Sequence, residues 1–521
     1  MTLSPSHPVT LSPSSASSAA APYDLIVIGA GAAGSTAAFE ARGRGARVAM
    51  IERWKVGGTC LNAGCDPTKA LVRAAGVVHE ARGASRFGID VGDVRPDWPA
   101  VIDRVERVID TIRGGDGDRN IREAGIDLRK EQARLRSAHE VEVAGDILRG
   151  EAVILAVGVR AFIPDIPGLR ETGFITNIEA VRLPTLPRSL AIIGGGTIAM
   201  EFAQIFARFG VAVTVLGKNP RLLPREEPEL ADILRDCLAD EGIRIETGVT
   251  IEGVSRDGGH KRLAAHRGST ASRIDVEVDE ILVAAGRIPN VDDLGLEAAG
   301  VRYDGEGIVA DATLRTTAPG VWAIGDCVAG APRFTSLADH HARVVVHNAL
   351  GGLPAREATT PVVPTAVFTD PELGRVGLTE AEARQAGLNV RAETVPTRDL
   401  ARAVITGETA GGVKLVADAV SGRLVGGSVL ATGGGELLGE IALAVRLGLT
   451  GHAIADTLHA YPTFSEGVFW TAWELAKPEM VGQEATRGVE APRGDVEALN
   501  EGGGSRGPEG ERRTTGGGSG T

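Results

Sequence analysis

Cysteine is scarce in this chain. Its 521 residues carry four, Cys60, Cys65, Cys237 and Cys327. That is too few for a disulfide scaffold and points to a reducing compartment, the cytoplasm, with one working pair. Long hydrophobic runs are missing as well: no stretch approaches the roughly 18–20 apolar residues that span a bilayer. Positive charge is in deficit, with 55 Lys and Arg against 68 Asp and Glu and a net charge of −13. That balance argues against nucleic acid or an anionic membrane as partner. Residues 1–21 contain no Lys, Arg, Asp or Glu, so they lack the basic start of a signal peptide and the arginines of a transit peptide. This Ser-, Pro- and Ala-rich stretch and the Gly-rich residues 482–521 are expected to be disordered tails. No second cysteine pair or histidine cluster accompanies Cys60 and Cys65, so no metal site is expected.

What is present is a strand-and-glycine pattern that occurs twice. Asp24-Leu25-Ile26-Val27-Ile28 is a short apolar run leading into Gly29-Ala30-Gly31-Ala32-Ala33-Gly34 and an Ala-rich helical stretch. The first glycine permits a tight turn, the second admits a pyrophosphate to the backbone, and the third lets helix and strand pack closely. A second strand, Arg47 to Ile51, ends in Glu52, placed to hydrogen-bond a ribose hydroxyl. The pattern returns at Leu190-Ala191-Ile192-Ile193 and Gly194-Gly195-Gly196-Thr197-Ile198-Ala199, with alanine in the third small position. After the next strand, Val211 to Leu216, the position equivalent to Glu52 is Gly217, followed by Lys218, Asn219 and Arg221. A carboxylate there would repel a 2′-phosphate, whereas a small residue beside two cations accepts one. NADPH is therefore favoured over NADH. Late in the chain, Gly320 to Ile324 runs into Gly325-Asp326-Cys327, where Asp326 is placed either to accept from flavin ribityl hydroxyls or to cap a helix.

Just past the first fingerprint stands Gly57-Gly58-Thr59-Cys60-Leu61-Asn62-Ala63-Gly64-Cys65-Asp66-Pro67-Thr68-Lys69. In a regular helix two residues five apart are separated by about 7.5 Å of axial rise, more than the roughly 4.4–6.8 Å usual for bridged Cα atoms. A disulfide between Cys60 and Cys65 thus requires an irregular helix start, which Gly64 and Pro67 permit. Lys69, four residues after Cys65, shares its helix face and would stabilise a thiolate or a reduced flavin. Asp66 opposes the thiolate, and its simpler role is to start the turn before Pro67. Cys237 and Cys327 read as structural.

On these motifs the chain resembles the class I pyridine nucleotide–disulfide oxidoreductases, the family of dihydrolipoyl dehydrogenase, glutathione reductase and mercuric reductase. Ala285-Gly286-Arg287-Ile288-Pro289-Asn290, Gly325-Asp326 and Thr365 to Glu372 resemble further family segments. The resemblance implies an α/β fold with two Rossmann-like dinucleotide-binding domains, for FAD and NAD(P), and a C-terminal α+β dimerisation domain. The expected boundaries are 22–165 and 290–355 for the FAD-binding domain, 166–289 for the NAD(P)-binding domain and 356–481 for the dimerisation domain. It implies FAD contacts at Gly29, Gly31, Gly34, Glu52, Thr59, Lys69, Gly158 and Asp326. It implies NAD(P) contacts at Gly194, Gly195, Gly196, Thr197, Ile198, Ala199, Glu201, Gly217, Lys218, Arg221 and Gly286. Cys65 would face the flavin, Cys60 would exchange with the acceptor, and Lys69 would pair with Glu201. The active site would be shared across a homodimer.

Disulfide reductases of this family carry a His-Pro-Thr-x-x-Glu base from the partner subunit. Here the segment reads His459-Ala460-Tyr461-Pro462-Thr463-Phe464-Ser465-Glu466, with Tyr461 in place of the histidine. A phenol near pKa 10 donates a hydrogen bond but is a poor base, unlike an imidazole near 6.5. Mercuric reductases are similar at this point, and the run Phe202 to Gly210 resembles theirs, although no cysteine follows Cys327 to match their terminal pair. The expectation is an NADPH-preferring flavoenzyme of mercuric reductase-like type, with Cys60, Cys65, Tyr461 and Glu466 as catalytic residues. Its acceptor, a metal ion, a quinone, or a small or protein disulfide, stays open. A dihydrolipoyl dehydrogenase using His459 or Glu466 is the first alternative. A flavoprotein redox sensor using its tails as contact arms is the second.

Overall fold

The computed structural model describes residues 21–268, 272–358 and 362–486. The proposed tails at 1–21 and 482–521 lie almost wholly outside the described residues, and with them the contact-arm reading. The closing helix, Glu466–Thr486, runs into the second of these stretches, because Gln483, Glu484 and Ala485 are good helix formers.

The first fingerprint strand, Tyr23–Ile28, lies inside a seven-stranded sheet, parallel to Val48–Ile51 on one side and Asp146–Leu155 on the other. Leu25, Ile26 and Val27 have no exposed surface, as expected of a parallel strand covered on both faces. Val321–Ala323 joins the same sheet, parallel to Asp146–Leu155, with Ala323 opposite Leu155. The late apolar segment thus returns to the first domain and carries Asp326 with it.

Helix Ala32–Gly43 buries a face of Ala33, Ala37, Ala38 and Ala41. The third glycine sets how closely it packs: a Cβ on Gly34 would stand 1.8 Å from the Gly29 carbonyl oxygen. Gly34→Ala must therefore displace backbone, and overpacking of this kind costs about 3 kcal/mol. Equilibrium urea unfolding is expected to show that loss as a lowered midpoint at unchanged slope.

The second fingerprint strand, Ser189–Ile193, sits in a four-stranded parallel sheet between Ala212–Gly217 and Glu280–Val283, beside a three-stranded antiparallel sheet. Val159–Ala161 and Arg287–Pro289 pair antiparallel where the chain leaves and re-enters the first domain. The C-terminal portion is a five-stranded antiparallel sheet ordered Thr365–Val367, Glu372–Gly377, Leu424–Ala431, Gly412–Asp418, Val390–Pro396.

One helix ties the second domain to this last sheet. On Thr197–Arg208, three buried polar residues one turn apart, Glu201, Gln204 and Arg208, all reach residues 368–370. Glu201 Oε1 accepts from Phe368 N at 3.0 Å. The Gln204 amide both accepts from Asp370 N and donates to Asp370 O, each at 2.8 Å. Arg208 donates to the Asp370 carboxylate at 2.9 Å and forms a fork with Glu241. Each buried polar group is satisfied, as such a contact demands.

Candidate active site

The cysteine motif forms two helices rather than one. Gly58–Ala63 carries Cys60, Cys65–Arg82 begins with Cys65, and Gly64 breaks the chain between them at φ −125° and ψ −114°. A Cβ on Gly64 would lie 2.9 Å from the Thr59 carbonyl oxygen, so the break depends on glycine. Both thiols are free, and Thr335, first residue of the helix Thr335–Ala349, reaches both. Its Oγ1 lies 3.4 Å from Cys60 Sγ and 3.8 Å from Cys65 Sγ.

The two sulfurs titrate apart. The hydrogen bond between them pulls Cys65 down to about 6, with Lys69 and Thr335 helping and burial and Asp66 opposing. Cys60, the partner that keeps its proton, is pushed far above the ordinary thiol value by that same bond and by burial. The pair therefore holds one thiolate, on Cys65. Lys69 Nζ meets both oxygens of Glu201 at 2.9 Å and lies 4.5 Å from the Phe368 ring centre. Those contacts use up the Glu201 carboxylate, which is 3% exposed. Glu201 is thus an anchor for Lys69, the partner the resemblance implies for it.

The first Gly-rich turn opens toward this motif. Gly29, at φ +105°, has no room for a side chain, since a Cβ would meet the Ala156 carbonyl oxygen at 2.3 Å. At Gly31 a Cβ would find nothing nearer than 3.9 Å, and Gly58 comes close to it, a Cβ there standing 2.7 Å from Gly31 Cα. The N-termini of helices Ala32–Gly43 and Gly58–Ala63 thereby converge on one open spot, favourable for a pyrophosphate. Glu52, predicted to meet a ribose, accepts from Ala30 N and Trp54 N at 2.7 Å each. It buttresses the turn and keeps lone pairs free. Thr59 is exposed beside Cys60.

Asp326 lies within the short 3-10 turn Gly325–Cys327 rather than capping a helix. A Cβ on Gly325 would touch Ala33 Cβ at 3.1 Å, so this turn packs on the first fingerprint helix. Burial raises the Asp326 carboxyl against the pull of Arg287, whose Nη1 donates to it at 2.9 Å. His341, held neutral by a pKa pushed down to about 4 by burial, accepts from Gly325 N at 3.2 Å. Gly158, at φ +62°, faces open space and its carbonyl accepts from Asn290 N. The residues present fit FAD: an open glycine at two helix N-termini, a carboxylate near the first helix, and an exposed Cys65.

The second turn repeats the logic. Gly194, at φ +142°, lies against the Ala284 carbonyl, while a Cβ on Gly196 would meet nothing within 4 Å. Thr197 is exposed and Ile198 half-buried, but Ala199 is fully buried and acts through helix–strand packing rather than by touching a nucleotide. Gly217 ends its strand, and a Cβ built on it would lie 3.9 Å from Gly195 Cα. Lys218 is exposed and Arg221 half-buried, and among the described residues neither enters an ion pair. Gly286, at φ +133°, accepts from Phe162 N at the domain crossover.

Tyr461 is 76% exposed, and Glu466 accepts from Thr463 N at 3.1 Å. His459 is occupied elsewhere: its side chain is 7% exposed, with Nε2 on Glu440 at 2.8 Å and Nδ1 on the Thr457 carbonyl at 2.9 Å. It is not a free base. Cys327 is buried, donates to the Leu155 and Ile324 carbonyls, and is pushed up to about 11. Cys237, on Pro228–Asp240, rises by burial to about 11. Both are inert. Among the described residues no cluster of three or more potential metal ligands occurs, and no helix is long and apolar enough to cross a membrane.

Residues 23–342 match the family model described as pyridine nucleotide-disulphide oxidoreductase, and residues 363–472 match that family's dimerisation domain. The mercuric reductase of Lysinibacillus sphaericus is 35% identical over 448 residues, 86% of this chain and 81% of that protein. The dihydrolipoyl dehydrogenase of Thermus scotoductus is 37% identical over 461 residues, 87% and 98% of the two chains. Among solved structures, the HOCl-induced flavoprotein disulfide reductase RclA of Escherichia coli superposes with a TM-score of 0.77 at 31% identity, covering 87% of this chain and 99% of its own. A Cu(II) complex of that protein superposes equally well.

Proposed function

The chain belongs to the pyridine nucleotide-disulphide oxidoreductase family, and from that premise we propose that it passes electrons from NADPH to a soft metal ion through Cys60 and Cys65. It is an FAD-dependent, NAD(P)H-using oxidoreductase of mercuric reductase-like type, and its dimerisation domain makes it a homodimer. FAD held there would supply two-electron chemistry between the nicotinamide and the Cys60–Cys65 disulfide. The chain's own residues arrange the rest. Gly31 and the two helix N-termini would hold the pyrophosphate, and Asp326 would accept from ribityl hydroxyls. Cys65 stays ionised at neutral pH, and Lys69 balances the negative charge beside it. Cys60 is the exchanging thiol. Lys218 and Arg221 take the 2′-phosphate.

The observation that carries the acceptor reading is the state of the two candidate bases. A disulfide acceptor releases thiolates that must be protonated, so its reduction needs a residue titrating near neutrality. Tyr461 is a phenol, and His459 is buried against Glu440. A metal ion takes two electrons with no proton to place. Tyr461, 76% exposed on the dimerisation domain, would offer its hydroxyl across a site shared between subunits. A reducing cytoplasm suits a dithiol of this kind.

The test is NADPH oxidation by the purified yellow protein with Hg(II) in excess thiol, against lipoamide as matched acceptor. Faster turnover with Hg(II) is expected. Fast lipoamide turnover with slow Hg(II) turnover returns the protein to the dihydrolipoyl dehydrogenase branch.

A further inference from the structure

The segment between the strand Ala212–Gly217 and the helix Pro228–Asp240 carries Lys218 and Arg221, and it is held from two sides. In its middle, Leu223 N donates to the Gly195 carbonyl at 2.8 Å, and Leu222 packs over Gly195. Leu223 stands at φ +47°, a left-handed conformation that a branched side chain keeps only where its surroundings fix it. At its end, two consecutive glutamates reach the dimerisation domain. Glu226 Oε2 lies 3.2 Å from Arg375 Nε, and Arg375 also meets Glu382 at 2.9 Å. Glu227 Oε2 lies 2.9 Å from Lys414 Nζ, while its Oε1 accepts from Glu380 N at 2.7 Å. Lys414 gathers Glu229 and Glu380 as well. Lys414 and Glu227 are 5% and 2% exposed.

A buried ionic cluster is a poor way merely to glue two domains, because desolvation offsets most of its attraction and apolar side chains of similar volume serve as well or better. What such a cluster does supply is a fixed register. Here the register belongs to a strained loop whose three cations, Lys218, Arg221 and Arg225, have no ion-pair partner among the described residues. Five carboxylates (Glu226, Glu227, Glu229, Glu380 and Glu382) also stand near this loop, and Arg375 and Lys414 screen their repulsion of an incoming phosphate.

We infer that Glu226 and Glu227, clamped by Arg375 and Lys414 of the dimerisation domain, are positioning residues for the 2′-phosphate of NADPH. The inference rests on the NADPH reading above. Nucleotide choice is then set in part by a domain that does not touch the nucleotide.

The test uses the FAD-loaded dimer. Lys414→Met is expected to raise the KM for NADPH about tenfold, the equivalent of one charge-assisted hydrogen bond, with kcat at saturation and kcat/KM for NADH unchanged. Calorimetric titration is expected to show the same weakening for adenosine 2′,5′-bisphosphate and none for 5′-AMP. Glu226→Gln, which keeps the side chain's shape, is expected to shift the same ratio in the same direction and serves if Lys414→Met does not fold. Equal losses for both nucleotides, or none, in a folded, flavin-replete variant overturn the inference. If the wild-type protein binds 5′-AMP as tightly as the bisphosphate, the NADPH reading itself falls, and the inference with it.

Discussion

Cys60→Ser is expected to abolish acceptor turnover, by about 10³-fold or more, the scale of loss when an enzyme's covalent nucleophile is removed. The variant should remain folded, because the Cys60 side chain is only partly buried and meets Thr335 at a long 3.4 Å. It should also keep its Cys65 thiol depressed, because the serine hydroxyl still donates to Cys65 in place of the Cys60 thiol, the largest influence lowering that group. Two measurements follow. Steady-state oxidation of NADPH with the physiological acceptor should collapse, while the pH dependence of thiolate absorbance in the reduced protein should stay well below that of an ordinary thiol. Full activity in Cys60→Ser would defeat the dithiol route outright.

Lys69→Met should have the largest effect on stability among single changes near the site. It leaves the Glu201 carboxylate, 3% exposed, with the Phe368 amide as its remaining partner. Losing one member of a buried pair costs roughly 3–5 kcal/mol. Lys69 is a third exposed, so water screens part of that and about 3 kcal/mol is expected. The same change removes a cation beside Cys65, whose titration should rise. The sign of the pH effect is fixed by direction: a thiol depressed in the folded, reduced protein stabilises it above the ordinary thiol value of about 8.5. That contribution is lost as pH falls through about 6. Denaturant titrations of reduced wild type and Lys69→Met should therefore differ less at pH 5 than at pH 8 in the part due to Cys65. If the two proteins unfold at the same denaturant concentration, Lys69 is not anchored as described.

The parts of this protein visible in its sequence are those whose cause is local. Gly29, Gly34 and Gly194 are glycine because a carbonyl lies where a Cβ would be, and the tight turn that causes this leaves a short, readable spacing. The break between Cys60 and Cys65 follows from Gly64 in the same way. The dimerisation sheet was reached only through family resemblance, since its short strands carry no comparable signal. What stayed hidden was contact across long separations. Thr335 meets the two sulfurs from 275 and 270 residues away, and no spacing rule finds it. Arg287 was visible as part of a segment but not as the partner of Asp326. Ala199 sits in the second fingerprint helix, so the motif assigned it to the nucleotide, but burial turns it into the core. His459 lies two residues from the motif's base position, and only the fold shows Glu440 holding it.

The three polar rungs on Thr197–Arg208 bear on how such a protein can be rebuilt. Rossmann domains are commonly treated as interchangeable cassettes, cut at their crossover strands and moved between hosts. Here Glu201, Gln204 and Arg208 are matched one by one to Phe368 and Asp370, more than 150 residues downstream in the chain. A chimera that exchanges only the inserted domain would bury whichever of these groups its new host fails to answer. The transplantable unit is therefore discontinuous: the cassette together with the short segment that reads its helix.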